Sequence, residues 1–284
     1  MDNKVAVLIL FFNKLTETVA CIESFIPSQQ SIYVLNNGSD KKLWNALQEK
    51  YSNNRQVVFF HSDTNLGVSV GRNYLIEKTS EPWVLIVDND IIIKDTQNWI
   101  NKFYTLLQKN PALQVFTFHI YNVHEGAYTK PVKVVKQERK VSIENTEDEL
   151  TNCFPGTGSV IHRNVFNKHG LFDATLFVGF EDYEYALRCM NSPSGELKVL
   201  HSKEIEMVHD HRFQKRSIDK DAVKERYNEQ RIKESYDNIV KKYDIEFEHD
   251  WQWWARKQIV DMTGKTIAQK IKYRIAGLAR RLKD

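Results

Sequence analysis

The residues best suited to chemistry are two acids, Asp88 and Asp90, at the end of the apolar run 83–87. Such a run predicts a strand buried on both faces of a parallel sheet, and open α/β sheets bind ligands at the carboxyl ends of their strands. Carboxylates two residues apart on a strand lie about 6.5 Å from each other, too far to bind one ion equally. We therefore expect Asp90, further out in the crevice, to bind Mg²⁺ or Mn²⁺ and Asp88 to act through water or on a ribose hydroxyl. The alternative is a simple turn at Asp88, with Asp95 capping the next helix.

A second cluster, residues 63–73, lies after another predicted strand and at the start of a predicted helix. Gly67 allows close backbone approach, and Arg72 places a cation near the same sheet edge. One interpretation is contact with a diphosphate or a base, and the other is a glycine-bearing turn with a solvated arginine. The glycine spacing fits neither a P-loop nor a dinucleotide-binding turn.

A third pair of acids, Glu181 and Asp182, opens a predicted helix. Acids in a first helical turn are favoured by the macrodipole, so a purely structural role is one interpretation. The other is a partly desolvated carboxylate held as a general base. It rests on the neighbouring aromatic residues Phe177, Phe180 and Tyr183.

Two histidines, His209 and His211, flank Asp210 near the end of a predicted strand. A single histidine is usually an ordinary core or surface residue. Two histidines beside an acid make one of them a candidate metal ligand.

The elements that would position these residues alternate between strand and helix. Apolar runs start at Val5, Ile32, Val57 and Trp83, and this spacing suits strand–helix–strand units. The first 120 residues therefore predict a parallel sheet covered by helices. Residues 121–150 are polar and aperiodic, and we expect a long surface excursion of the kind that often covers a substrate.

The second half of the chain is predicted to contain shorter elements. Residues 154–162 form a glycine-containing turn into a strand, followed by an amphipathic segment that ends at Gly170. The helix that begins at the third acid pair is followed by a strand near residues 198–200 and by a charged helical region over residues 220–243.

Composition narrows the class of protein. The net charge of +3 is too small to imply nucleic-acid binding by itself, and the three cysteines are scattered as in a reduced core. The apolar run 5–12 is too short to span a bilayer and lacks the flanks of a signal peptide, so we expect a cytoplasmic protein.

The clusters together, in their order along the chain, resemble the family 2 glycosyltransferases of the GT-A fold over roughly residues 4–212. The segment Asn36-Asn37-Gly38-Ser39 follows the second strand. The most specific stretch runs through Gly156 to Phe166, Gly170 to Asp173, Glu181 to Glu184, and Arg188.

The resemblance implies an α/β protein with a mostly parallel, Rossmann-like central sheet flanked by helices. Residues 1–215 would form the catalytic domain, with a donor half at about 1–120 and an acceptor half at about 150–215. Residues 216–284 would form a C-terminal helical extension.

The resemblance also implies inverting transfer of a sugar from a nucleotide-activated donor, with Mn²⁺ or Mg²⁺ held at Asp90. Asp182 would take the proton from the acceptor hydroxyl, and Glu181 would be an acceptor contact or backup base. A metal- or diphosphate-binding histidine matches His209 or His211, with His209 preferred. The donor would further contact Asn36, Asn37, Asn65, Gly67, Arg72 and Asp88.

One departure from the family concerns recognition of the donor's nucleobase. Many relatives carry an acid where this chain has Asn36 and Asn37. An amide both donates and accepts hydrogen bonds, so base recognition survives. We expect a UDP-sugar first and a dTDP- or GDP-sugar second.

The C-terminal end predicts a basic amphipathic helix. Apolar residues lie on one helical face and basic residues on the other, which suits an anionic membrane surface. The apolar face consists of Ile267, Ile271, Ile275, Leu278 and Leu282. The alternative is a helix packed on the domain or on a dimer partner. Nucleic acid is disfavoured because aromatic residues do not interleave with the basic ones.

These features favour a peripheral enzyme at the inner face of the cell membrane, acting on a glycan or lipid-linked acceptor in cell-surface polysaccharide synthesis. Two other functions fit parts of the pattern. One is a non-catalytic sugar-nucleotide-binding or scaffolding protein of the same fold. The other is a metal-dependent nucleotidyltransferase, which would release pyrophosphate.

Overall fold

The computed structural model describes residues 4–123, 125–210 and 228–253. The strands are β1 Val5–Phe11, β2 Ser31–Asn37, β3 Val57–Ser62, β4 Trp83–Asp88, β5 Ile91–Ile93, β6 Val115–Asn122, β7 Ala127–Tyr128, β8 Val132–Gln137, β9 Lys140–Asn145, β10 Leu150–Thr151, β11 Ser159–His162, β12 Val199–His209 and β13 Glu246–Phe247. The helices are α1 Leu15–Phe25, α2 Lys41–Lys50, α3 Gly67–Lys78, α4 Trp99–Lys109, α5 Arg163–His169, α6 Glu181–Met190 and α7 Glu229–Tyr243.

The central sheet has the strand order β10-β12-β6-β11-β4-β1-β2-β3. Strands β1 to β4 are parallel to one another. Strand β11 is antiparallel to both β4 and β6, so these two run in the same direction, and β12 is parallel to β6. The carboxyl ends of β1, β2, β4, β6 and β12 therefore meet at one edge of the sheet.

Helices cover both faces of this sheet, as predicted from the continuous apolar runs. On β1, Val7 and Ile9 pack into a cluster with residues of α1, α2 and α4. Ala6 and Leu8 point to the opposite face and pack with residues of α3, α5 and α6. The predicted α/β alternation of the first 120 residues is confirmed.

Residues 121–150, predicted to be a long excursion over the surface, contain regular strands. They contain β7 and an antiparallel hairpin of β8 and β9, which forms a small second sheet with β13. Most side chains of the hairpin are exposed or half-buried, and Val134 and Val141 are the ones it contributes to a core. The hairpin lacks a clear apolar pattern because each of its strands fully buries only one side chain.

The second sheet and α7 pack against α6 and the loop that precedes it. Ile232 and Ile239 of α7 share a hydrophobic cluster with Val178 and Phe180, which precede α6. The predicted charged helix is thus present as Glu229–Tyr243. The predicted domain boundary at residues 215/216, His211 and the basic tail lie outside the described residues. No helix within the described ranges is both long and apolar enough to cross a bilayer.

Candidate active site

The acid pair and one histidine converge at the carboxyl edge of the sheet. Asp88 is the last residue of β4, and Asp90 lies in the turn that joins β4 to β5. Ile91 of β5 pairs with His209, the last residue of β12. One ligand atom each from Asp88, Asp90 and His209 lies within 4.8 Å of the others. Two carboxylates and an imidazole at this separation fit a divalent cation such as Mn²⁺.

Asp90 is the buried member of this cluster. Its side chain is 1% exposed, whereas that of Asp88 is 28% exposed. Asp90, which was expected further out in the crevice, is the more buried acid because the turn that holds it leads into β5, which pairs with β12. Which of the two acids binds a metal directly remains a prediction.

Lys14 is a neighbour of Asp90 that sequence reasoning missed. Its Nζ donates to Asp90 Oδ2 at 2.6 Å, and His209 Nε2 lies 3.1 Å from Asp90 Oδ1. A buried carboxylate requires such compensation. The sequence feature that could have indicated this contact is the position of Lys14. It follows the carboxyl end of β1, and β1 pairs with β4.

Arg72 joins the two halves of the site. It lies on α3 and is buried, with Nη1 at 2.8 Å from Glu181 Oε1 and Nη2 at 3.5 Å from Asp88 Oδ1. Gly156 makes room for this pair, because a Cβ there would stand 2.9 Å from Glu181 Oε1 and 3.2 Å from the Arg72 guanidinium. The solvated arginine of the alternative interpretation is therefore wrong.

Asp182 lies in the first turn of α6, beside Glu181. Its Oδ1 accepts a hydrogen bond from the Tyr183 backbone N–H at 2.9 Å. Burial, and then the negative charge of Glu181, raise the pKa of Asp182 to about 7, against the opposing effects of that N–H and of Arg72. A carboxylate with a pKa near neutrality is suited to general-base catalysis.

Glu184, two residues further along α6, has no exposed side-chain surface and is surrounded by donors. Lys242 Nζ donates to its Oε1 at 2.9 Å and Tyr243 Oη at 2.6 Å, and Arg188 pairs with both oxygens. These contacts tie α7 to the helix that carries Asp182. Sequence reasoning missed this cluster, although Glu184 and Arg188 have the i,i+4 spacing of a helical ion pair.

The predicted donor contacts Asn36 and Asn37 are buried and hold the loops at the sheet edge. The Asn36 Oδ1 accepts from Ser39 N at 2.9 Å, and its Nδ2 donates to His61 Nδ1 at 2.9 Å. The Asn37 Nδ2 donates to Asn65 Oδ1 at 3.2 Å. A role in base recognition remains a prediction, because a base would have to share amides that already have internal partners.

Gly67 meets the loop before α6. It has φ +77°, and a Cβ there would stand 2.5 Å from the Phe177 carbonyl oxygen. That oxygen accepts from Val68 N at 2.7 Å, at the start of α3. The glycine is thus required for close approach of protein backbone, and contact with a donor remains a prediction.

Solved structures with the same fold identify the fold class of this protein. S. aureus TarS, residues 1–349, superposes with a TM-score of 0.55 at 15% identity over 84% of this chain and 70% of that chain. TarS in complex with UDP-GlcNAc gives 0.54 at 15% identity, over 84% and 71%. GalNAc-T7 with UDP, GalNAc and Mn²⁺ gives 0.56 at 14% identity, over 90% and 56%. The fold is that of the GT-A glycosyltransferases, as the sequence resemblance implied.

Comparison of the sequence with a family model identifies the protein family. The profile of Glycosyl transferase family 2 matches residues 6–170, more than half of the chain, which therefore belongs to this family. An uncharacterised protein of Haemophilus influenzae is 28% identical over 176 residues, 59% of this chain and 92% of that protein. Membership of this family supports a sugar-transfer role and makes the chain a glycosyltransferase.

Proposed function

We propose that the protein is an inverting, metal-dependent glycosyltransferase that moves a sugar from a nucleotide-sugar to an acceptor hydroxyl. The observation that carries the proposal is that two groups of acids are joined by one buried arginine, Arg72. The cluster of Asp88, Asp90 and His209 suits a cation and a diphosphate, and Asp182 suits a general base. Arg72 contacts both sides.

In this mechanism Asp182 accepts the proton of the acceptor hydroxyl as its oxygen attacks the anomeric carbon. The bond to the diphosphate oxygen breaks on the opposite face, so one displacement inverts the anomeric configuration. Glu181, whose Oε1 accepts a hydrogen bond from Arg72, would be an acceptor contact or the backup base. A divalent cation held by Asp90, with Asp88 and His209, would neutralise charge on the departing diphosphate.

A UDP-sugar is the preferred donor, with dTDP- and GDP-sugars as the alternatives. Support comes from two structural neighbours, one solved with UDP-GlcNAc and the other with UDP, GalNAc and Mn²⁺. The acceptor in this proposal is a glycan or lipid-linked glycan of cell-surface polysaccharide synthesis.

The test is nucleoside diphosphate release by the purified full chain from a panel of nucleotide sugars, with and without Mn²⁺. Release should require the metal and fall in Asp90→Asn. Asp95→Asn is the matched control, because Asp95 is a nearby acid that pairs with Lys102 outside the cluster. Release of pyrophosphate, or an unchanged rate in Asp90→Asn, would contradict the proposal.

Membrane association is a separate part of the proposal and rests on the basic tail. A chain that lacks residues 264–284 should stop sedimenting with vesicles that contain anionic lipid, while the full chain binds them. If both chains bind equally, the tail is not the membrane contact.

A further inference from the structure

The ammonium group of Lys14 contacts Asp90, the proposed metal ligand. Lys14 and a metal ion would therefore compete for the same carboxylate. Lys14 caps the start of α1, where its carbonyl accepts hydrogen bonds from Thr18 N at 2.9 Å and Thr18 Oγ1 at 2.6 Å. The backbone of Lys14 is thereby fixed beside the carboxyl end of β1. Its side chain is only 11% exposed and reaches Asp90, which follows the neighbouring strand β4.

Both oxygens of Asp90 already have partners. Oδ2 faces the Lys14 ammonium at 2.6 Å, and Oδ1 faces His209 Nε2 at 3.1 Å. A divalent cation bound by Asp90 and His209 would lie close to the Lys14 ammonium, so two positive charges would share one carboxylate unless Nζ moved away from Oδ2. At such separations, charge repulsion in a partly buried site is substantial.

We propose that Lys14 is a resident counter-ion that keeps the affinity of this site for a divalent cation low until a nucleoside diphosphate is present. The inference rests on the proposed function. A diphosphate brings negative charge into the crevice and offers the ammonium a new partner. The flexible four-carbon stem of lysine allows Nζ to turn from Asp90 to that partner while the backbone stays fixed.

Lys14 therefore couples metal binding to donor binding, and the free enzyme does not hold a tightly bound metal. Linkage makes this coupling reciprocal, so the metal raises nucleotide affinity by the same factor. Lys14 is in this sense a positioning residue. It changes the affinity for the metal through its contacts with Asp90 and with the diphosphate.

The experiment measures Mn²⁺ affinity by electron paramagnetic resonance of free Mn²⁺, without nucleotide and with saturating UDP, and with GDP in a parallel titration. Lys14→Gln removes the charge and keeps an N–H donor for Asp90, and Lys14→Met removes both. Each variant should bind Mn²⁺ about tenfold more tightly than the wild type without nucleotide. The factor by which UDP tightens Mn²⁺ binding should fall by a similar amount.

Lys102→Met is the matched control. It removes a lysine from an exposed pair with Asp95 and should leave both affinities unchanged. Circular dichroism establishes that each variant is folded, and Lys14→Gln remains informative if Lys14→Met is not.

Asp90→Asn separates this inference from the proposed function. If Asp90→Asn loses Mn²⁺ binding while Lys14→Gln binds it as the wild type does, the inference about Lys14 is wrong and the metal site stands. If Asp90→Asn binds Mn²⁺ as the wild type does, the metal does not use Asp90, and the proposed metal site fails.

Discussion

Helix α6 carries two acids, Asp182 and Glu184, two residues apart and with different neighbours. Glu184 is fully buried, yet Arg188, Lys242 and Tyr243 all donate to it. Asp182 accepts one backbone N–H and has Glu181 beside it, and none of the ion pairs among the described residues includes its carboxylate. The charge of the neighbours decides which acid stabilises the fold and which one is poised to take up a proton.

The largest effect that tests this comparison is on the rate of transfer. Asp182→Asn removes the proton acceptor without changing shape, and we expect the rate of sugar transfer to fall about 10²–10⁴-fold, the usual contribution of a general base. Binding of UDP, measured by calorimetry, should be unchanged because the variant leaves the donor edge intact. A rate within a factor of three of the wild type would assign the base to another residue.

Glu184→Gln tests the other acid of the pair, through stability. The change leaves two cations without their carboxylate, and we expect the free energy of unfolding in urea to fall by about 2–3 kcal/mol, since Lys242 is partly solvated. Asp237→Asn, which removes an exposed i,i+4 pair with Lys233 on α7, should cost about 0.5 kcal/mol or less. Equal losses in the two variants would mean that Glu184 does not anchor α7.

The pH dependence of stability gives a smaller effect of opposite sign. The pKa of Asp182 is raised to about 7 in the folded chain from an ordinary 3.8, so ionisation of this group costs stability as pH rises between these values. Asp182→Asn removes that cost. Because Asp182 is only half-buried, we expect less than the full conversion of this shift: the variant should be more stable than the wild type by about 2 kcal/mol at pH 8, and the difference should vanish near pH 4. Urea titrations of both proteins at the two pH values measure it, and a difference independent of pH would contradict the raised pKa.

Much of this site could be predicted from the sequence because several of its residues lie at the ends of strands. The apolar run before Asp88 predicted a central parallel strand, and the carboxyl ends of such strands share one edge. The approach of His209 to the acid pair follows from that topology. The identity of Asp182 as the candidate base came from the resemblance to the family.

The remaining features depend on contacts between distant segments, which a sequence pattern does not specify. Lys14 and Asp90 are 76 residues apart, and the Arg72–Glu181 pair spans 109 residues. The resemblance to the family implied a donor contact at Asn37 but did not indicate that its amide also donates to the Gly67 carbonyl oxygen, 30 residues away. Periodicity predicts which face of an element is buried, whereas the partners of a buried polar group are set by the packing of several elements.

Substitution of Arg72 should give the smallest of the predicted effects. Arg72 lies between the two halves of the site. Its positive charge lowers the pKa of Asp182, in opposition to burial and to Glu181. Arg72→Met should therefore raise the pKa of Asp182 further. The rate of transfer rises with pH as Asp182 loses its proton, so we expect the acid limb of kcat/KM to move upward by about 0.5–1 pH unit.

The charge-conserving variant Arg72→Lys distinguishes this electrostatic role from lost geometry. It should keep the acid limb near its wild-type position even if KM rises, because Lys cannot reproduce the bidentate reach of Arg between Glu181 and Asp88. Arg55→Met, at an exposed position outside the site, is the control for loss of a cation and should leave the pH profile unchanged. If Arg72→Met raised KM and left the acid limb in place, Arg72 would act on the donor alone, and the two halves of the site would titrate independently.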